Sequence, residues 1–395
     1  MKHLILVLFL TTSMTLIGYS QYNEVVKGNN EFAFEFYQSI SDNDNNLFFS
    51  PYSISIALAM TYEGAGGETA KEMQTTMHFP ESRSDMQTAF RKLLEDNSKQ
   101  EENYVFKSAN SLWASKQIEF HKDYFSRVNK FYNAPAEQVN FRRTKARETT
   151  RKKINHWTEK ETEGKIKDLL QENDLSFETI LVLVNAVYFK AEWHKKFKKR
   201  ATVENVFYSF NSKQKTLFMN QKSRMKFYKD KLHLHLEIPY YSRKASLHIF
   251  MPDNENAFQE FQKKFDFQYF SSILKQSKYE TVKLSLPKFK INNRMYLSDN
   301  LKDAGIKLAF ESKSDFSGMS DTSDISIDKV IHQSFINTNE NGTEAAAATA
   351  VVMKRETALP PQNEIIFNVN KPFIFVITDN STGSVLFTGH YIKPE

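Results

Sequence analysis

The chain has 395 residues, of which 40% are hydrophobic and 25% charged, and this composition excludes an intrinsically disordered protein. There is no cysteine, which excludes thiol catalysis, cysteine metal sites and stabilisation by disulfide bonds. The formal net charge of +6 favours polyanionic partners such as glycosaminoglycans.

Residues 1–20 have the pattern of a signal peptide. Lys2 and His3 form a short basic start, an apolar run covers 4–10, and Gly18 and Ser20 are small residues placed for cleavage. No later segment is apolar enough for a membrane span. We therefore expect a secreted, extracellular protein. We also expect a single domain over 21–395, because the interior contains no linker, repeat or low-complexity tract.

The first half of the mature chain is predicted to be mainly helical. An apolar-rich segment opens it at 32–37, Pro51 after Ser50 marks a helix start, and Met86 to Leu94 has helical spacing. From Thr179 the pattern changes to strands. The nearly unbroken apolar run from Ile180 to Phe189 is typical of a strand buried on both faces. Further strand segments are Tyr240–Met251, Val282–Leu286 and Ile365–Thr378. Helices early and strands late predict an α+β fold.

Motifs for catalysis are missing from the sequence. There is no Gly-x-Ser-x-Gly elbow, no His-Glu-x-x-His pair and no glycine loop for phosphate. His233 and His235 would share a strand face, but no third ligand lies nearby, so we expect ordinary surface histidines. The sequence predicts a protein that is not an enzyme, with no metal, no cofactor and no nucleic-acid partner.

Several segments, in this order, resemble the serpin family and cover nearly the whole mature chain. They include the run Asn46 to Ile54, the strand Leu183 to Lys190 with Trp193, and the run Asn339 to Ala350. The others are Gly64–Thr69, Ile154–Trp157, Thr162–Ile166, Pro287–Lys290, Asp315–Gly318, Val330–His332 and Asn370–Phe373.

The resemblance implies a serpin fold with three β-sheets, about nine helices and an exposed reactive loop at about 340–362. It also implies a mechanism: a protease cleaves the loop, becomes acyl-linked to it, and is displaced when the loop inserts as a strand of the main sheet. Matches to the family's polar cluster and tryptophan, where the main sheet must open, are Ser50, Ser53, Asn185, Trp193 and His332.

The residues of the predicted hinge agree with insertion. In a strand, side chains alternate between the two faces. If odd positions point inward from Thr343 to Met353, all of them are small or apolar, whereas the charges of Glu344 and Lys354 face solvent. This parity matters because a buried unpaired charge costs several kcal/mol. The predicted hinge residues are Glu340, Gly342, Thr343, Glu344, Ala345, Ala346, Ala347, Ala348, Thr349 and Ala350.

Two assignments of the cleaved bond stay open. Counting in the family's spacing from Glu340 places the bond between Glu356 and Thr357. A trypsin-like protease, the commonest target class, would prefer cleavage after Arg355, before Glu356, because its specificity pocket contains an aspartate. Spacing favours the first assignment and chemistry the second.

Other candidate sites lie outside the loop. A basic segment is a candidate site for a heparin-like polyanion, with the 195–200 and 222–231 regions as rivals; its residues are Arg142, Arg143, Lys145, Arg147, Arg151, Lys152 and Lys153. Asn341 and Asn380 begin glycosylation sequons.

The sequence is thus identified as a secreted, monomeric inhibitory serpin directed at a serine protease, most similar in character to arthropod serpins of immune cascades. The alternatives are a non-inhibitory carrier or storage serpin and an inhibitor of a cysteine protease.

Overall fold

The computed structural model describes residues 22–97, 101–322, 325–343 and 364–394. The predicted signal peptide, the hinge residues from Glu344 onward and both candidate bonds lie outside these ranges.

Nine α-helices occur in the described part of the chain, and six of them precede residue 162. Helix α2 illustrates why they form: Pro51 occupies its first turn, and the side chain of Ser50 accepts a hydrogen bond from the backbone N–H of Ser53. All twelve residues of α2 are buried, so this helix runs through the core. The helices are α1 (22–40), α2 (Pro51–Tyr62), α3 (Gly67–Met77), α4 (Arg83–Asn97), α5 (Lys122–Tyr132), α6 (Thr144–Glu161), α7 (Glu255–Lys264), α8 (Phe267–Gln276) and α9 (Ser298–Ala304).

Fifteen strands occur in the same ranges, and most follow the helices, which confirms the predicted α+β class. The segment predicted over 365–378 divides into two strands that pair with different partners. The strands are β1 (Leu47–Phe49), β2 (Tyr104–Ser115), β3 (Ala136–Val139), β4 (Leu181–Glu192), β5 (Val203–Tyr208), β6 (Lys213–Lys229), β7 (His233–Pro239), β8 (Ala245–Pro252), β9 (Lys278–Pro287), β10 (Lys290–Tyr296), β11 (Lys329–Asn339), β12 (Gly342–Thr343), β13 (Ile365–Asn368), β14 (Phe373–Asp379) and β15 (Val385–Tyr391).

The strands form a nine-stranded and a six-stranded sheet. The larger one has the order β1-β15-β14-β8-β7-β6-β9-β13, and β5 also pairs with β6. The 17-residue strand β6 pairs with β9 through 218–227 and with β7 through 226–229. It therefore joins two portions of the larger sheet, one made of β5, β6, β9 and β13 and one that runs from β6 to β1. With the six-stranded sheet, the described strands thus agree with the three sheets that were expected.

The six-stranded sheet has the order β10-β11-β12-β4-β2-β3, with β11 also paired to β4. Its central strand β4 is buried on both faces. Leu183 and Val187 point into the main core, whereas Val182 and Val184 pack in a second cluster with Ile154 of α6. This double burial is the reason for the unbroken apolar run in the sequence.

His233 and His235 are buried, so their prediction as surface histidines was wrong. Strand β7 is interior in the larger sheet, between β6 and β8. The ring of His233 lies 4.4 Å from that of Phe261 on α7, and His235 makes a hydrogen bond of 3.0 Å to Ser277. Burial lowers the pKa of His233 to about 4, although Asp230 opposes the shift.

Candidate functional site at the opening of the six-stranded sheet

The six-stranded sheet opens at one end, between β4 and β11. These strands are parallel neighbours over 182–187 and 329–334. Beyond this stretch they diverge, and the two-residue strand β12 lies between them. Gly342 pairs with Glu192, and Thr343 pairs with Ala191 on one side and Thr338 on the other. The first residues of the predicted hinge are therefore already part of the sheet.

The two residues of β12 fit this position for different reasons. A Cβ atom on Gly342 would lie 2.0 Å from the carbonyl oxygen of Ala191, so the close approach of two backbones requires glycine. The side chain of Thr343 is fully buried, and its hydroxyl lies 2.7 Å from the hydroxyl of Tyr240. The opening thus accepts a small side chain that can form a hydrogen bond.

Trp193 closes the opening from the side of β4. Its ring stacks on Tyr240 with 4.6 Å between centroids and 9° between planes. Its indole N–H donates to the carbonyl of Asn339 at 2.8 Å, and its backbone N–H donates to the carbonyl of Asn341 at 2.9 Å. Trp193 and Tyr240 therefore support the turn that connects β11 to β12.

Glu340 anchors the same turn through its carboxylate. The carboxylate accepts a hydrogen bond of 2.8 Å from Thr202 and lies 3.1 Å from the ammonium of Lys288. Burial raises the pKa of Glu340, but hydrogen bonds from its own backbone N–H, Thr202 and Lys288 outweigh that effect and hold the pKa below its usual value. Sequence reasoning selected Glu340 but missed Lys288, which lies in one of the family-like segments.

A polar cluster lies under the centre of the sheet, where β4 and β11 are still paired. His332 and Asn185 are opposite each other in the register, and a hydrogen bond joins His332 Nδ1 to Asn185 Oδ1. The backbone N–H of Ser50 donates to His332 Nε2 at 3.2 Å, so the neutral ring carries its proton on Nδ1. Burial alone lowers the pKa of His332 to about 3, which keeps the ring neutral near pH 7.

Asn185 connects this histidine to α2 and β2. Its Nδ2 donates to the hydroxyl of Ser53 at 2.5 Å and also to Asn110 Oδ1. The hydroxyl of Ser53 lies 2.6 Å from that of Ser108. The cluster therefore spans four elements, and sequence reasoning missed its two members on β2, Ser108 and Asn110. Alternation along β2 places both on one face, but only the fold shows that Asn110 meets Asn185 and that Ser108 meets Ser53 of α2.

The arrangement consists of hydrogen-bond donors and acceptors that join neighbouring strands and α2. In the described ranges, no group of three or more His, Cys, Asp or Glu side chains could hold a metal ion. Within those ranges, no helix is long and apolar enough to cross a membrane. What the site provides is a sheet that has begun to accept a strand from the segment at 342–343.

A family model for serpins (serine protease inhibitors) matches residues 27–394. The chain belongs to the serpin family. The leukocyte elastase inhibitor of Xenopus tropicalis is 38% identical over 374 residues, which make up 92% of this chain and 97% of that protein.

Solved structures agree with this assignment. A serpin of the insect Tenebrio molitor has 28% identity and a TM-score of 0.84, covering 94% of this chain and 98% of that one. Human thyroxine-binding globulin has 26% identity and a TM-score of 0.85, covering 95% and 99%. The expected serpin fold is confirmed.

The basic segment of this serpin surrounds the start of α6. Arg143 precedes the first turn, and Arg147 donates to the carbonyl of Phe141 at 2.9 Å. Arg151 binds Glu148 through two nitrogens, at 2.7 and 2.8 Å, and the carbonyl of Leu170. The remaining exposed cations of the segment are Arg142, Lys145, Lys152, which lies 3.7 Å from Glu148, and Lys153, which lies 2.5 Å from Glu137. Several cations of the segment therefore have partners within the chain.

The two sequons differ in their surroundings. Asn341 lies in the turn before β12, and the threonine of its sequon, Thr343, is buried in the sheet. Asn380 is exposed, but its Nδ2 donates to the carbonyl of Arg243 and to the hydroxyl of Ser246, both at 2.9 Å. A glycan on this nitrogen would replace one donor hydrogen and disturb these contacts.

Proposed function

We propose that this serpin is an exported inhibitor that traps a trypsin-like serine protease. The protease serine attacks the carbonyl of Glu356, or of Arg355, and forms an ester; the peptide bond breaks and the following residue leaves as a free amine. The hinge then inserts between β4 and β11 before water can hydrolyse the ester.

The opening at β12 is the observation that supports this function best. Residues 342–343 already lie between β4 and β11, so the next residues of the chain have a direct path along the same gap. Six residue pairs of β4 and β11 would have to part. The inward residues of the hinge after Thr343 are small or apolar through Met353, which lets the neighbouring strands close around them.

The polar cluster lies in the path of insertion. Its bond between His332 and Asn185 crosses from β11 to β4 and would break when the two strands separate. A hydrogen bond between neutral groups contributes about 1 kcal/mol net. Such a bond is weak enough to break, yet it holds the sheet closed before cleavage.

A carrier function is the second candidate, because thyroxine-binding globulin is among the similar structures. A carrier has no need of an insertable hinge, whereas this hinge contains no proline and no inward charge from Thr343 to Met353. The third candidate, inhibition of a cysteine protease, would use the same hinge with a thioester in place of the ester.

A protease panel distinguishes the three candidates. We expect a complex with a trypsin-like protease that survives SDS electrophoresis. The proposal would be contradicted by complexes with cysteine proteases alone, or by a serpin that forms no complex with any protease of the panel. Mass spectrometry of the released C-terminal fragment then identifies the bond: a start at Thr357 assigns Glu356 as the acyl residue, and a start at Glu356 assigns Arg355.

We also propose that the protein acts outside the cell and that it binds a heparin-like polyanion. The basic charge and the apparent signal peptide support an exported serpin of an immune protease cascade that heparin-like chains accelerate. Three exposed cations of the basic segment, Arg142, Arg143 and Lys145, make no salt bridge among the described residues, and Arg142 and Arg143 are adjacent in the chain. Reversing both charges should weaken retention on heparin, measured as the salt concentration of elution.

A further inference from the structure

A basic face covers the portion of the larger sheet formed by β6, β9 and β13. Lys222, Arg224 and Lys226 alternate along β6 and so share one face. Lys283 of β9 lies opposite Lys222 in the register, and Ile366 of β13 lies opposite Lys283. We call this surface the basic face; its residues are Lys222, Arg224, Lys226, Tyr279, Lys283 and Ile366, with Arg243 at its margin.

The basic face has an excess of positive charge. Lys222 and Lys283 both bind the single carboxylate of Glu364, and Lys226 lies 3.0 Å from Glu237. Arg224 is exposed and makes no salt bridge within the described residues. Five cations, with Arg243 included, thus face two carboxylates, which leaves a net charge of +3.

Apolar and aromatic groups lie among these cations. Ile366 is 66% exposed and Tyr279 is 46% exposed. The phenol of Tyr279 accepts a hydrogen bond of 2.9 Å from Arg243, which holds the ring in place. A shallow depression of about 400 Å³ lies beside Ile366 and Lys283. Fixed aromatic rings, arginine and an exposed aliphatic side chain are typical of protein interfaces, whereas a polyanion needs charge alone.

The basic face is close in the sequence to the predicted reactive bond. Glu364, which binds two of its lysines, lies eight residues after Glu356. Eight residues span at most about 29 Å when fully extended. A globular protease domain of about 230 residues has a radius of gyration of about 17 Å. A protease bound to the loop near residue 356 is therefore large enough to reach the basic face.

We propose that the basic face docks an acidic surface of the target protease, outside its active site, and speeds the first encounter. This inference depends on the proposed inhibitory function and names the chemistry of the partner. Attraction between opposite charges raises association rates and selects partners. The face would thus add specificity that the loop sequence alone does not supply.

Anionic and cationic trypsin serve as the probes, because they share a specificity pocket and differ in surface charge. Every protein carries Glu356→Arg, so that trypsin cleaves the loop under either assignment of the bond. The test variants are Arg224→Glu, which breaks no salt bridge among the described residues, and Lys222→Glu/Arg224→Glu. The matched control is Lys71→Glu/Lys313→Glu, which reverses two exposed charges outside the larger sheet.

We expect the double variant to lower the association rate constant with anionic trypsin about tenfold, and Arg224→Glu about threefold. Rates with cationic trypsin should not fall, and the control should behave as the parent. The difference in rate between the parent and the basic-face variants should be present at about 50 mM salt and lost at about 1 M, because salt screens the attraction.

Three results would overturn the inference, and they are distinguishable. If the parent forms no SDS-stable complex with either trypsin, the inhibitory function itself is wrong. If the parent forms complexes but the basic-face variants associate at the parental rates, the docking inference is wrong. If the variants lose only acceleration by heparin, the face binds a polyanion and not the protease.

Discussion

The substitution Thr343→Arg tests the inserted strand most directly. Thr343 is fully buried between β4 and β11, and its hydroxyl contacts that of Tyr240. An arginine here would place a guanidinium at the first inward position of the hinge. The native protein can expel β12 from the sheet, but the cleaved loop cannot insert without burying that charge.

The cost follows from the contacts. Losing the hydrogen bond and leaving the hydroxyl of Tyr240 unsatisfied costs about 1–3 kcal/mol. An unpaired buried charge adds about 3–5 kcal/mol. If about 5 kcal/mol of this total appears in the barrier to insertion, insertion slows by about three to four orders of magnitude, because each 1.36 kcal/mol is tenfold in rate. Hydrolysis of the ester then precedes trapping.

The assay compares Thr343→Arg with Thr343→Val at equal protease concentration. The valine is nearly isosteric and introduces no charge, so it should still form the SDS-stable complex. The arginine variant should be cleaved as a substrate, with little complex and a rise in the moles of serpin consumed per mole of protease inhibited. Undiminished complex with Thr343→Arg would refute insertion along the gap at β12.

Two further predictions concern stability. Since burial holds the pKa of His332 at about 3 against 6.5, the unfolded chain binds a proton that the folded chain does not as pH falls from about 6.5 to 3, and stability drops. His332 alone contributes a slope of at most about 1.4 kcal/mol per pH unit. Urea unfolding between pH 7 and 5 should therefore show a shallower pH dependence of stability for His332→Gln than for the parent, and an unchanged dependence would contradict this. Lys288→Met should destabilise the protein by about 1–3 kcal/mol because it leaves Glu340 buried without its cation. Adding Glu340→Gln should restore most of that loss, and full additivity of the two changes in thermal unfolding would argue against the pair.

Local patterns in the sequence were enough for the elements and the family. Pro51 after Ser50 marked the start of α2, and the apolar run from Ile180 marked a strand buried on both faces. These signals depend on residues close together in the chain, where capping and side-chain alternation act. The family-like segments then led to the serpin fold.

The tertiary structure decided which distant residues meet. Glu340 and Lys288 are 52 residues apart in the chain, and Asn185 and His332 are 147 apart, yet each pair is in contact. Periodicity gives the face of a strand but not the strand beside it. The neighbours of Glu340 could be found only once β11 and the segment before β10 were placed side by side.

The environment of charged and titratable side chains also depended on the fold. His233 and His235 are polar residues that alternate with leucines along β7 and were expected at the surface, but β6, β8 and α7 enclose them. Arg151 looked available to a polyanion, but it binds Glu148 and the carbonyl of Leu170. The sequence by itself determined which residues are charged or apolar and which elements they form. Solvent exposure and pairing were decided by non-local packing, because both depend on atoms contributed by chain segments far away in the sequence.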